Sequence, residues 1–174
     1  VHTRLTTNNY EAGKLAAKEM RKLLHDKGNV TLLRLQKGLV STDDREQGFI
    51  DEINRSPLTL MEGPYVGTSV APMRKQISLF LAQHHKGIDG LFTPNEMTTL
   101  SALAELKKSG QIGKLVHIGF DYSRYQFNAL QKGELQGLVL QQPYQMGYLG
   151  VRLLMLAHLG QATGNELQHT PIYY

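Results

Sequence analysis

Four polar residues stand just past short apolar runs and carry the chemistry this sequence offers: Arg45, Asn95, Asp121 and Gln141. Arg45 lies in Ser41-Thr42-Asp43-Asp44-Arg45-Glu46-Gln47-Gly48-Phe49, after the run Val30–Leu35. Asn95 lies in Thr93-Pro94-Asn95-Glu96, after Ile88–Phe92. Asp121 follows Leu115–Phe120, and Gln141 follows Leu135–Leu140. Together they supply a planar fork of donors, two amides and a carboxylate. Such a set suits a neutral ligand rich in hydroxyls, because each hydroxyl both donates and accepts. The same residue types also serve as ordinary helix caps and turn formers. Position alone leaves both readings open.

The elements that must position them alternate. Apolar residues recur at helical spacing over 10–25, with Asn8 or Asn9 as cap, and the periodicity predicts further helices over about 42–54, 69–84, 94–108, 122–132 and 143–159. Short apolar runs predict strands at 30–35, 58–61, 88–92, 115–120 and 135–140, with a last one at 169–174. Pro94 is expected in the first turn of its helix, where a proline costs nothing. Strict alternation of short apolar strands with helices predicts an α/β fold: a mostly parallel sheet covered by helices on both faces, a three-layer α/β/α sandwich. In such sheets ligands sit at the carboxyl ends of the strands, where the four residues fall.

Composition narrows the function classes. With 174 residues, 41% hydrophobic and 20% charged, the chain can build a core without staples. It has no cysteine, which excludes disulfides, iron–sulfur clusters, cysteine zinc sites and thiol nucleophiles. The net charge of +4 is spread thinly. Residues 1–87 hold 13 basic and 9 acidic side chains and the remainder 6 of each, with no basic block interleaved with aromatics, so no nucleic-acid partner is expected. No apolar stretch is long enough for a bilayer span. The chain opens on Val1 without a leader and stops inside an apolar run, so it reads as an excised piece.

Other features are weaker. His84 and His85 are adjacent and diverge on a helix, which argues against a shared metal. Asp43 and Asp44 fall in a first helical turn, where carboxylates favour the dipole. Gly110–Lys114 lacks the spacing of a phosphate-binding loop. Asn29-Val30-Thr31 fits a glycosylation pattern but enters a strand. Ser41 and Ser123 have no motif that brings a histidine to them. Neither an enzyme nor a cofactor is expected.

The segments "TTNNYEAGKLAA", "STDDREQGF", "GLFTPNEMTTLSALAELKKSG", "VHIGFD" and "ALQKGELQGLVLQQPYQMGYLGV" resemble, in order and spacing from Thr6 onward, the periplasmic sugar-binding proteins of bacterial ABC transporters, in particular the ribose-binding-protein-like group with the type I periplasmic-binding fold. The resemblance implies one lobe of a two-lobe fold, the second, as a single unit over 1–174. It implies hinge crossings at Thr6–Asn9 and Gln141–Pro143, a helix 143–159 that belongs with the missing first lobe, and a final strand returning to the second lobe. It implies that Arg45, Asn95 and Asp121 bind sugar oxygens, that Gln141 reaches the ligand from the hinge, and that Thr7 lines it. Tyr65 is the available stacking aromatic. The implied function is extracytoplasmic binding of a monosaccharide-like ligand for delivery to a membrane permease. The effector region of a sugar-responsive repressor and the sensor of a membrane signalling protein share this fold and are the alternatives. Helix 143–159 is apolar on nearly all sides, so without its first lobe it is expected to pair with a second copy.

Overall fold

The computed structural model describes residues 4–84, 86–161 and 167–170. The elements run β1 (Arg4–Thr7), α1 (Asn9–Leu23), β2 (Asn29–Leu32), α2 (Val40–Ile53), β3 (Thr59–Met61), α3 (Val70–His84), β4 (Gly90–Phe92), α4 (Glu96–Lys108), β5 (Val116–Phe120), α5 (Arg124–Gln131), β6 (Gly137–Val139), α6 (Pro143–His158) and β7 (Leu167–Thr170). They fall into two compact units. The larger is Asn9–Val139; the smaller combines the described parts of Val1–Asn8 and Leu140–Tyr173.

The larger unit is built on five parallel strands in the order β3-β2-β4-β5-β6. Val30 of β2 lies between Leu60 of β3 and Gly90 of β4. Strands of three to five residues suffice because both faces of the central ones are covered. Leu91 belongs to a core cluster with Met73, Ile77, Leu81, Ala102 and Leu106 of α3 and α4. Its neighbour Phe92 points the other way and stacks on Phe49 of α2, ring centroids 4.6 Å apart. Helices α1 and α2 therefore cover one face and α3 and α4 the other, the expected three layers.

On the first face the helix backbones touch. A Cβ built on Gly13 of α1 would lie 1.9 Å from the carbonyl oxygen of Arg45, and one on Gly48 of α2 would lie 2.0 Å from that of Tyr10. Only glycine permits this approach, and it fixes how far α2, with Arg45, sits from α1.

The smaller unit holds β1 and β7, paired in parallel with Thr7 opposite Thr170, and α6. This corrects two expectations. Residues 4–7 form a strand, which the sequence did not suggest, and the last strand pairs with β1 in a separate two-stranded sheet instead of joining the five-stranded one. The strand is described over Leu167–Thr170, beginning two residues before the expected 169; residues 171–174 lie outside the described residues. Two helix starts also differ. Helix α2 begins at Val40, without a side-chain cap, while the Asp43 carboxylate instead accepts from the Gly38 amide at 2.8 Å. Pro94 precedes the cap of α4 and does not sit in its first turn.

Candidate functional site

The order of the five strands reverses at one place. From β2 the chain moves outward to β3, then returns to the other side as β4, β5 and β6. Connections on the two sides of β2/β4 diverge, which opens a crevice at the carboxyl edge where ligands bind in open parallel sheets. Arg45, Asn95 and Asp121 are delivered to that edge.

Asn95 is the N-cap of α4. Its Oδ1 accepts from the Thr98 amide at 2.9 Å and the Thr98 hydroxyl at 2.8 Å, while Thr98 Oγ1 accepts from the Asn95 amide at 3.3 Å. The cap takes the acceptor end of the carboxamide and does not use its NH2 group. The capping and binding readings of Asn95 are therefore compatible.

Asp121 follows β5 in a left-handed backbone conformation, φ 69°. Aspartate tolerates this region better than most residues, at a cost of about 1 kcal/mol or more. Its amide donates to the Val139 carbonyl at 2.9 Å. Its Oδ2 accepts from the Glu96 amide at 3.2 Å, in the first turn of α4. The strained turn thus places a carboxylate against a helix N-terminus beside Asn95, where the dipole favours its charge.

Arg45 reaches across the crevice from α2. It is only 5% exposed. Nε donates to Asn9 Oδ1 at 2.9 Å and Nη1 to the Pro94 carbonyl at 2.8 Å, and the guanidinium carbon lies 3.7 Å from the Phe120 ring centroid. Burial pushes its pKa down to about 10, against the opposing pull of Asp121, so it stays cationic at neutral pH. The expected fork is thus largely embedded in protein. Two of its five N–H groups are spent on Asn9 and Pro94, and its flat face is spent on Phe120.

The other three expected residues belong to other elements. Thr7 and Gln141 belong to the smaller unit, where the Thr7 hydroxyl donates to Gln141 Oε1 at 2.8 Å. Tyr65 follows the outer strand β3, on the far side of β2 from β4, about 10 Å along the sheet from the Asn95 turn. Its ring faces Arg34, whose guanidinium carbon is 5.3 Å from the ring centroid. The structure does not bring Tyr65 together with Asn95 and Asp121. Tyr122, one residue past Asp121 and 62% exposed, is the aromatic at that turn. Its adjacency to Asp121 was the signal that could have found it. Asn9, read from sequence as a cap and as the end of a hinge crossing, accepts from Arg45 and orients it.

The remaining features resolve plainly. Ser123 caps α5, accepting from the Gln126 amide at 3.3 Å. The Asn29 side chain donates to the Gly87 carbonyl at 3.0 Å. His84 is exposed beside Phe80, and His85 lies outside the described residues. Among the described residues no group of three acidic or histidine side chains is placed to hold a metal. No helix there is long and apolar enough to cross a membrane.

Beside Arg45, Glu46 is buried, and its Oε1 accepts from the Leu35 amide at 3.1 Å. Burial pushes its pKa up from 4.5 to about 7, with Asp43 adding to the effect and the Leu35 amide and Arg34 opposing it. The folded carboxyl holds its proton more tightly than the unfolded one. Its stabilisation is therefore full below pH 4.5 and is lost as pH rises through 7. At 1.36 kcal/mol per pKa unit the loss reaches about 3 kcal/mol at most. Glu46→Gln, which keeps an acceptor for Leu35, is expected to be more stable than the native chain at pH 8 and to flatten the slope between pH 5 and 8. Urea unfolding at the two pH values measures this; an unchanged slope would exclude a buried, proton-binding Glu46.

Comparison with known proteins adds the following. A family model described as "periplasmic binding protein domain" matches residues 3–162. The periplasmic component of an ABC-type sugar transport system from Hahella chejuensis is 36% identical over 96% of this chain and 61% of its own, with a TM-score of 0.88. An ABC transporter solute binding protein from Agrobacterium vitis, with bound D-fucose, is 30% identical over 97% of this chain and 58% of its own, TM-score 0.88. One from Burkholderia graminis, in complex with D-arabinose, is 25% identical over 99% of this chain and 61% of its own, TM-score 0.89. The chain spans about three fifths of the length of these structures.

Proposed function

The chain belongs to the periplasmic binding protein domain family, and on that premise we propose that it supplies one wall of a monosaccharide site, outside the cytoplasmic membrane, in a protein that delivers sugar to an ABC transporter permease. The role is binding, not catalysis. The observation that carries it is the Asp121 turn: a left-handed aspartate whose carboxylate lies against the first turn of α4, next to the Asn95 carboxamide. A carboxylate accepts from two hydroxyls, an amide NH2 donates to a third oxygen, and the embedded Arg45 holds positive potential beneath them. Such a site rejects ligands without the hydroxyls, because its own polar groups would be left unpaired. Thr7 and Gln141 keep the hinge-lining role that the family gives them, and Tyr122 takes the stacking role first given to Tyr65.

Calorimetry with pentoses and hexoses, D-arabinose and D-fucose among them, tests this. One wall leaves the ligand facing water, so the 174-residue chain is expected to bind weakly, in the millimolar range, where a closed site buries most of its ligand. Asp121→Asn removes charge-assisted hydrogen bonds of about 1.5–3 kcal/mol each and should weaken binding roughly ten- to a hundredfold. No heat and no NMR shift with any sugar at tens of millimolar would overturn the proposal; submicromolar affinity would overturn the half-site argument.

The proposal extends to α6. Tyr144, Tyr148, Val151, Met155 and Leu159 form one exposed stripe. Spacing of 3 and 4 makes the stripe continuous along the helix. We place on it the lobe that accounts for the rest of the relatives' length and, for this chain alone, a second copy. Light scattering on the calorimetry samples should give a mass above the monomer, restored to monomer by Val151→Asp with Met155→Asp; a native monomer at tens of micromolar would refute it.

A further inference from the structure

Beneath the Asn95 and Asp121 turns lies a chain of buried polar side chains that ligand contact does not require. Thr93, at the end of β4, and Thr99, in the first turn of α4, are fully buried, and His117 of β5 is 1% exposed. His117 Nε2 lies 2.9 Å from Thr93 Oγ1, which lies 2.9 Å from Thr99 Oγ1. Thr99 Oγ1 donates to the Asn95 carbonyl at 2.7 Å and accepts from the Phe120 amide at 3.3 Å. His117 Nδ1 has no partner among the described residues.

The direction of these bonds follows from their ends. The Asn95 carbonyl can only accept, so the Thr99 proton points to it. Thr99 then accepts from Thr93 at 2.9 Å, the shorter of the two contacts open to the Thr93 proton, the other being the Ile118 carbonyl at 3.4 Å, and Thr93 accepts from His117 Nε2. A buried N–H without a partner is rarer than a buried lone pair without one, which independently puts the imidazole proton on Nε2 and leaves Nδ1 bare. Burial keeps the ring neutral, its pKa pushed down to about 3. Thr99 then uses its whole capacity: one proton given and two lone pairs filled, with the residue that caps α4 on one side and the residue before Asp121 on the other.

Resting on the sugar-site reading above, we infer that Thr99 is a positioning residue: through the directional chain His117–Thr93–Thr99 its hydroxyl ties the Asn95 turn to the Phe120–Asp121 turn and so fixes the spacing of the amide and carboxylate that meet neighbouring hydroxyls of the ligand. The tie joins the backbone of two neighbouring strand ends. Neither turn can shift without breaking it, and a shift of the order of 1 Å is enough to spoil two hydrogen bonds made at once.

The test uses the 174-residue chain, isotope-labelled, with D-arabinose and D-fucose as probes. Thr99→Val keeps the shape and deletes the hydroxyl; Thr99→Ser keeps the hydroxyl. The serine variant is expected to bind within about twofold of native, and the valine variant about tenfold more weakly when measured on folded protein. A role in stability alone would lower the unfolding midpoint of the valine variant and leave affinity and sugar preference unchanged, and that result overturns the inference. Nitrogen-15 shifts of His117 give a readout independent of sugar. A neutral ring protonated at Nε2 is expected in the native chain, and a ring protonated at Nδ1 overturns the chain's direction and the inference with it. If Thr99→Val does not fold, Thr93→Val reads the same tie from its other side: retained affinity there overturns the inference as well. If the native chain binds no sugar while His117 shows the Nε2 form, it is the sugar reading that fails.

Discussion

Arg45→Ala is expected to cost about 3–5 kcal/mol of folding free energy and to leave no measurable sugar binding. Two hydrogen bonds from a charged donor contribute about 1.5–3 kcal/mol each, and a desolvated cation over an aromatic face about 2. Against this stands the cost of burying the charge, which disappears with the side chain. What decides the sign is what remains. Asn9 Oδ1 and the Pro94 carbonyl keep their burial and lose their donor. The ring of Phe120 loses its cover. Arg45→Lys should recover little, since an ammonium has no planar fork with which to meet both oxygens while lying flat on the ring. Urea unfolding gives the stability change. A loss below about 1 kcal/mol for alanine, or full recovery with lysine, would show that the guanidinium is not the brace described here.

Gly13→Ala is the second large effect. In an ordinary exposed helix the change would stabilise by up to about 1 kcal/mol. Here the added methyl would stand 1.9 Å from the Arg45 carbonyl oxygen, with the carbon at 2.8 Å and the Phe49 amide nitrogen at 2.9 Å. All three are backbone atoms and have no rotamer to give way. Relief requires α1 and α2 to separate, which also pulls Phe49 from Phe92. Overpacking of this kind costs about 1–3 kcal/mol and more where backbone must move, so a net loss of roughly 2–4 kcal/mol is expected, with weaker ligand binding because Arg45 moves with its helix. A stabilised Gly13→Ala chain would mean that the helices do not touch as described.

These two residues mark how far the sequence carried. The five central strands were legible because buried parallel strands are nearly all apolar, as in Val30-Thr31-Leu32 and Gly90-Leu91-Phe92. The placement of Arg45, Asn95 and Asp121 was legible because each follows such a run. Tyr65 also follows one, but rank along the sequence does not give rank across the sheet, and β3 proves to be the outer strand. The brace of Asn9 on Arg45 was hidden because a helix-starting asparagine looks the same whether it caps or reaches across. Gly13 was hidden because a glycine in an apolar helix does not announce which backbone it touches. Thr93, Thr99 and His117 read as unremarkable polar positions until burial showed that their side chains bond one another and the backbone beside them. The strand β1 was missed because Arg4-Leu5-Thr6-Thr7 has one apolar residue and no alternation.

That missed strand has a consequence in time. Thr7 pairs with Thr170, 163 positions later, whereas the neighbours in the five-stranded sheet are joined by single helical crossovers or one return. During synthesis at about 5–20 residues per second, β1 stands without its partner for roughly 10–30 s. Over that interval it is an open edge of unpaired amides and carbonyls, the usual template for pairing with the wrong chain. The charged arginine at its start and the single apolar residue behind it make it a poor template. The lack of apolar character that concealed the strand is also what lets it wait, and a pairing with a strand made so much later should form late and exchange its amide hydrogens early.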